Sequence, residues 1–418
     1  MTAISRRRFL GSALAAGAGI AAGGGVLAGL TSLTGCAGSG GASSTFIPRQ
    51  NGGRRVFADL HLHGSLYSWL EHSPMAVKNP ALLRGVKAEY GRARFTWSAL
   101  HAQGVDLVCA VHFNPFDEWA SMPTDPSPEA RENTLRMMRL FEEELSGDAG
   151  RFARLVRNRE ELDECLAVRA NDPNFRVAVV HALEGGHVLG GEPASLEEFA
   201  RLGVAMITVT HFFNKGLASS ANSFPFFPDT ESIPPSQGLS EIGREVVAEM
   251  NRLGIIVDVS HMTAAAIADV LAITSTSQPL VASHSTVRTL GDHASAIPEE
   301  LIQEIARRGG LFGVILYPHQ LSNYASRGLA IEHGSMRDVV RTVAHVAKVC
   351  GTHACVAIGS DYGGVTSGPK EMPTLDDLEP LRVALHSEFG GDDAVVEGIM
   401  AANTIAFLRA NWRSGAAG

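Results

Sequence analysis

Six residues spread from position 61 to position 361 are of the types that hold metal ions and move protons: His61, His63, Glu184, His261, His284 and Asp361. His61 and His63 stand in Asp59-Leu60-His61-Leu62-His63. In an extended strand residues i and i+2 face the same side, so both imidazoles can reach one cation. Imidazole and carboxylate ligands without thiolates suit Zn²⁺ or a similar borderline cation, whereas a structural zinc site draws on cysteine. Glu184 has two oxygens and can bridge two ions. Two-metal hydrolytic sites hold their ions about 3.5–4 Å apart around a shared hydroxide. Asp361, in Gly359-Ser360-Asp361-Tyr362-Gly363-Gly364, is the candidate general base that takes a proton from water and returns it to the leaving amine. The chemistry expected is metal-assisted hydrolysis with two Zn²⁺ per chain. A single histidine after a strand is more often structural, and His112 is read that way.

Residues so far apart in the chain need a scaffold that brings them to one place. Short apolar runs occur at Val56–Leu60, Val105–Val111, Arg176–Ala182, Ala205–Thr210, Ile255–Ser260, Leu280–Ser283, Leu311–Leu316 and Cys355–Gly359. They are near-continuous rather than alternating, as in parallel strands covered on both faces. Helical patterns separate them. Ser240–Leu253 carries Ile242, Val246, Val247 and Met250 at helical spacing, and Pro298–Arg308 begins with the proline that favours a helix start. Eight such repeats predict an α/β fold, a (β/α)₈ TIM barrel of the metal-dependent hydrolase type. The C-terminal strand ends of such a barrel surround one mouth, where the active site sits. Each of the six candidates, with His211, stands at or just past one of these ends.

The net charge of −9 argues against a nucleic-acid partner, whose phosphates need a basic face. The chain opens with Ser5-Arg6-Arg7-Arg8-Phe9-Leu10, the form of a twin-arginine signal, followed by a Gly/Ala-rich, weakly apolar stretch. That stretch closes on Leu33-Thr34-Gly35-Cys36, which resembles a bacterial lipobox with Cys36 as the lipidated residue. Residues 1–36 are therefore expected to be a lipoprotein signal peptide, 37–53 a flexible Gly/Ser-rich tether, and 54–418 the hydrolase domain. The expected location is the periplasmic or extracytoplasmic face of a membrane, reached by the twin-arginine route and held by the lipid. Cys109, Cys165, Cys350 and Cys355 show no close CxxC spacing and are expected to be buried thiols.

Several segments resemble the membrane dipeptidase (renal dipeptidase) family of metallo-dependent hydrolases. They are Gly238-Leu239-Ser240 with Asn251 through His261, Leu183-Glu184-Gly185-Gly186-His187, Ile207 through Asn214, Ser283-His284-Ser285, and Gly359-Ser360-Asp361. The likeness runs from about Val56 to Trp412. It implies that His61 and His63 bind one metal, His261 and His284 the other, and that Glu184 bridges them. It further implies that His211 donates to the oxygen that gains charge in the tetrahedral intermediate, with Asp361 as acid/base. The implied reaction is hydrolysis of a dipeptide amide bond. A small amide is thus the expected partner, and a homodimer is left open.

Three departures from the family pattern stand out. Its first motif is His-x-Asp, here His61-Leu62-His63, which leaves the site one charge unit more positive. The family arginine that grips the substrate carboxylate aligns with Ser295, so Arg288 is the candidate substitute. The family's second acid after Asp361 is lost in Asp361-Tyr362-Gly363-Gly364. A substrate without a carboxylate, whether another small amide, a lactone or an ester, is the alternative these changes raise, with a non-catalytic binding lipoprotein behind it.

Overall fold

The structure, a computed structural model, describes residues 56–73, 95–120, 128–168, 172–214, 216–221, 237–291, 293–321, 334–365 and 367–413. The expected signal peptide, Cys36 and the tether lie outside these residues. Among the described residues no helix is long and apolar enough to cross a membrane.

Among the described residues nine parallel strands form one sheet: β1 (Ala58–Leu62), β2 (Leu107–His112), β3 (Ala153–Val156), β4 (Val177–Glu184), β5 (Met206–Thr208), β6 (Ile256–Asp258), β7 (Val281–Ser285), β8 (Leu311–Ile315) and β9 (Val356–Gly359). Pairing of β1 with β9 and of β2 with β4 closes eight of them into the expected barrel. β3 is an addition that sequence reading did not find. It pairs with the first half of β4, at Val177–Val180, while β5 pairs with the last half, at Ala182–Glu184. Its burial is broken at Arg154 and Leu155, so it lacks the continuous apolar run that marks the other strands.

Along β4, side chains alternate between two apolar clusters. Ala178, Val180 and Ala182 share one cluster with Leu107, Cys109 and Val111 of β2, whereas Val177, Val179 and Leu183 pack in the other, among the helices. Full burial of a Val or Leu side chain contributes about 1.5–3 kcal/mol relative to exposure, and both faces of β4 are buried throughout. That double burial explains the unbroken apolar runs.

The helices that matter for the site are α1 (Pro115–Ala120), α2 (Glu241–Leu253) and α3 (Glu299–Arg307). The Ser240 hydroxyl caps α2 by accepting the Gly243 N–H at 2.9 Å, and Gly254 ends it in the left-handed region at φ 74°. Val246, Val247 and Met250 are buried as expected, but Ile242 is 48% exposed. Gly243 takes the inward position instead, because a Cβ there would overlap the Leu217 carbonyl. α3 starts after Pro298, its N-cap.

Two strands change register near the mouth. On β1, Asp59 pairs with Val108 and Leu62 with Ala110, three residues against two. On β7, Ala282 pairs with Phe312 and Ser285 with Val314, again three against two. Each is a bulge that turns the following side chains to the other face. The first re-aims His61, the second His284. Gly313 and Gly359 make room for the β7 bulge: a Cβ at either would overlap the Ser283 carbonyl oxygen.

Candidate metal centre

The mouth of the barrel gathers all seven residues singled out above. Glu184, at the end of β4, is at the centre. Its Oε1 lies 3.4 Å from His61 Nε2, 3.5 Å from both His261 Nε2 and His284 Nε2, and 3.8 Å from His211 Nε2. Its Oε2 lies 3.4 Å from His63 Nε2. His261 and His284 bring their Nε2 atoms within 2.9 Å of each other. Asp361 Oδ1 closes the other side, 3.0 Å from His63 Nε2 and 3.8 Å from His61 Nε2.

Two residues hold backbone conformations that L side chains rarely adopt. His261 has φ 63° and Asp361 has φ 60°, and they are the only non-glycine residues with positive φ among those described. Such conformations cost on the order of 1–3 kcal/mol and persist where the surroundings enforce them. Both residues point into this cluster.

The electrostatics suit cations. Burial holds His61, His211, His261 and His284 below the usual imidazole range, so they are neutral, the form that ligates. Burial raises Glu184 well above the usual carboxylate range, although His63 beside it acts in the opposite direction. Burial also pulls His63 down, but its hydrogen bond to Asp361 and the charge of Glu184 outweigh it and leave it raised. For Asp361 burial acts upward, yet His63 and the neighbouring imidazoles leave it lowered. His61 Nε2 and Glu184 Oε2 are buried without a hydrogen-bond partner. Buried polar atoms of this kind need a partner. Three overlapping groups, His61–His63–Glu184, His61–His284–Asp361 and Glu184–His211–His261, each place their ligand atoms within 4.8 Å of one another. The donor set fits two divalent ions that share Glu184.

Supporting residues escaped the sequence reading. Glu118 of α1, fully buried, sits with Oε2 2.7 Å from His211 Nδ1 and accepts the N–H groups of Phe212 and Phe213 at 2.9 and 3.2 Å. No spacing marks it. Asp59 accepts the Ser360 N–H and hydroxyl at 2.9 and 2.5 Å and the His61 N–H at 3.2 Å, tying β1 to the loop after β9. Burial pushes Asp59 up to about 7. A signal for Asp59 and for Asp258 was available: each is a charge inside an otherwise apolar strand, which must be paired when buried.

Gly363 and Gly364 accommodate the larger ring at position 63. Gly363 has φ 82°, and a Cβ on Gly364 would overlap Cδ2 and Nε2 of His63. Arg288 is exposed and uses Nε and Nη2 on the Ala296 carbonyl, at 2.9 and 2.7 Å. Ser295 is buried, with Oγ 2.6 Å from His293 Nδ1 and 3.5 Å from Gln320 Oε1. His112 is buried between Ser65 Oγ at 2.9 Å and His181 Nδ1 at 2.8 Å, outside the cluster.

A parallel barrel with neutral imidazoles converging on a shared carboxylate at its C-terminal mouth is the architecture of metallo-dependent hydrolases. The family model of the membrane dipeptidases, peptidase family M19, matches residues 88–413, and the chain belongs to that family. It is 29% identical over 243 residues to an uncharacterized dipeptidase of Schizosaccharomyces pombe, covering 58% of this chain and 55% of that protein. It is 32% identical over 236 residues to a dipeptidase of Claviceps purpurea, covering 56% and 51%. The chain therefore spans about half the length of these curated relatives. The fold matches a metallo peptidase from Rhodobacter sphaeroides solved with a phosphinate mimic of the dipeptide L-Ala-D-Ala. That likeness has a TM-score of 0.68 at 22% identity and covers 86% of this chain and 100% of that one.

Proposed function

We propose that the protein is an exported metallo-dipeptidase that holds two Zn²⁺. The observation that carries the reading is the approach of five imidazole nitrogens to the two oxygens of Glu184, with Asp361 beside them. His61 and His63 are assigned to one ion, His261 and His284 to the other, with Glu184 between. When bound, such ions polarise the scissile carbonyl and lower the pKa of water. Asp361, with a side chain 13% exposed against 1–7% for the rest of the cluster, is the group open to an incoming substrate. It takes the proton of the attacking water and delivers it to the departing amine. His211, held at Nδ1 by Glu118, directs Nε2 into the site; it donates to the carbonyl oxygen as negative charge builds there only when the ring carries a proton on both nitrogens. Dipeptidases are among the relatives by name, which supports the substrate class.

The test is metal analysis with hydrolysis of a dipeptide panel. About two divalent ions per chain are expected, and His261→Ala or His284→Ala should lose roughly one. A protein that binds no metal after zinc supplementation would refute the reading.

The engagement of Arg288 with a backbone carbonyl, together with the absence of an arginine at Ser295, favours a second reading: a substrate that lacks a free carboxylate. The same panel extended to dipeptide amides, lactones and esters decides between them.

Export rests on Arg6, Arg7 and Cys36. Replacing both arginines by lysine should strand the precursor in the cytoplasm. Cys36→Ala should free the protein from membranes or block its processing, and wild-type fractionation of that variant would exclude the lipid anchor.

A further inference from the structure

Ser283 lies in the β7 bulge with its hydroxyl among several partners. Oγ is 2.5 Å from Asp258 Oδ2, 2.8 Å from His284 Nδ1 and 3.2 Å from His61 Nδ1. Ser260 Oγ is more distant, at 3.3 Å, and itself accepts the His284 N–H. All five residues are buried. A hydroxyl has one proton to give. The Asp258 carboxylate already accepts the backbone N–H groups of Ser260 and Ser283 on Oδ1, at 3.0 and 2.9 Å. Its Oδ2 accepts the Thr208 hydroxyl at 2.6 Å. Every other partner of Asp258 is thus a donor, and the carboxylate also takes the Ser283 proton.

The Ser283 oxygen can then only accept. His284 and His61 must both donate to it from Nδ1. A neutral imidazole with its hydrogen on Nδ1 carries its lone pair on Nε2, and the Nε2 atoms are those that face Glu184. We propose that Asp258 and Ser283 form a shared tautomer lock that sets His61 and His284 together in the metal-ligating form. One hydroxyl serves both rings because, from its place in the β7 bulge, it approaches His284 on the same strand and His61 on β1. Neither residue touches the reacting atoms, so both are positioning residues. The inference rests on the binuclear reading of the cluster but not on the identity of the substrate.

The lock is read without substrate. In chelator-stripped protein labelled with ¹⁵N-histidine, His61 and His284, assigned with His61→Gln and His284→Gln, should show Nδ1–H with unprotonated Nε2. Ser283→Ala should weaken zinc binding, measured by chelator competition, by about 10–100-fold. Asp258→Asn should do at least as much. Its amide, anchored by the two backbone donors on Oδ1, turns an N–H toward Ser283 and reverses the hydroxyl onto His284, which moves that ring to Nε2–H. Nε2–H rings in the wild type, or zinc affinity in Ser283→Ala within about twofold of it, would overturn the proposal. If the variants do not fold, the wild-type tautomers decide alone. A protein that hydrolyses no dipeptide but passes these tests would refute the proposed substrate and leave the lock standing.

Discussion

Glu118 Oε2 lies 2.7 Å from His211 Nδ1, and the two buried side chains come from segments 93 residues apart. The other oxygen of Glu118 takes two backbone N–H groups of the His211 loop, so ring and loop are held by one carboxylate. His211 is thereby fixed with Nε2 toward Glu184. Glu118→Gln keeps the shape but removes the charge that steadies the ring. Loss of a preorganised donor at a developing oxyanion costs about 10²–10³ in kcat. We expect a fall toward the lower end of that range, with zinc content and KM little changed. Steady-state kinetics beside metal analysis checks it, and an unchanged kcat would remove His211 from the mechanism.

Asp361→Asn separates proton transfer from metal binding. The amide keeps the size of the side chain but cannot accept the proton of water. kcat should drop by about 10²–10⁴ while two ions remain bound. The 3.0 Å approach of Asp361 to His63 makes the alternative concrete: if zinc is lost in step with activity, Asp361 is chiefly a ligand.

Much of this architecture is legible in the sequence, and the limits are physical. The eight barrel strands show because burial on both faces demands unbroken apolar runs. The cluster shows because each member follows such a run. β3 escapes because it is half-exposed. The bulges at Ser283 and after Asp59 escape because a register shift is a relation between two strands and leaves no mark on either. Ile242 is misplaced by periodicity alone: the neighbouring Gly243 is inward because the helix must approach Leu217 closely, and glycine carries no apolar signal. Glu118 is legible nowhere, since its partner is chosen by the fold.

The histidine at position 63 depends on the glycines opposite it. A Cβ on Gly364 would occupy the space of His63 Cδ2 and Nε2, the end of the ring that faces Glu184. Gly364→Ala should displace that ring and lower zinc content toward one ion per chain. The barrel itself should survive, because Gly364 lies in the loop after β9 and its contact is with the site. Metal analysis with circular dichroism checks both halves. Two ions at wild-type affinity in Gly364→Ala would show that His63 is not a ligand.

The last prediction concerns recognition of the substrate's far end. Ser295 stands where the resemblance places an arginine, and its hydroxyl meets His293 Nδ1 and Gln320 Oε1. Arg288 is the nearest cationic candidate in sequence, but Nε and Nη2 are engaged with Ala296. A charge-assisted contact to a carboxylate is worth roughly 1.5–3 kcal/mol, about tenfold or more in KM. If Arg288 swings to the substrate, Arg288→Ala should raise KM for dipeptides by that factor and leave dipeptide amides nearly unaffected. If it stays on Ala296, wild type should prefer amides or esters, and Arg288→Ala should change neither class. In the first outcome the substrate carboxylate must offset the loss of two donors by the Ala296 carbonyl. Ser295→Arg tests the site from the other side: it should improve turnover of free dipeptides relative to their amides. Strong wild-type preference for free dipeptides, with indifference to both substitutions, would place carboxylate recognition on some other residue and leave the metal chemistry untouched.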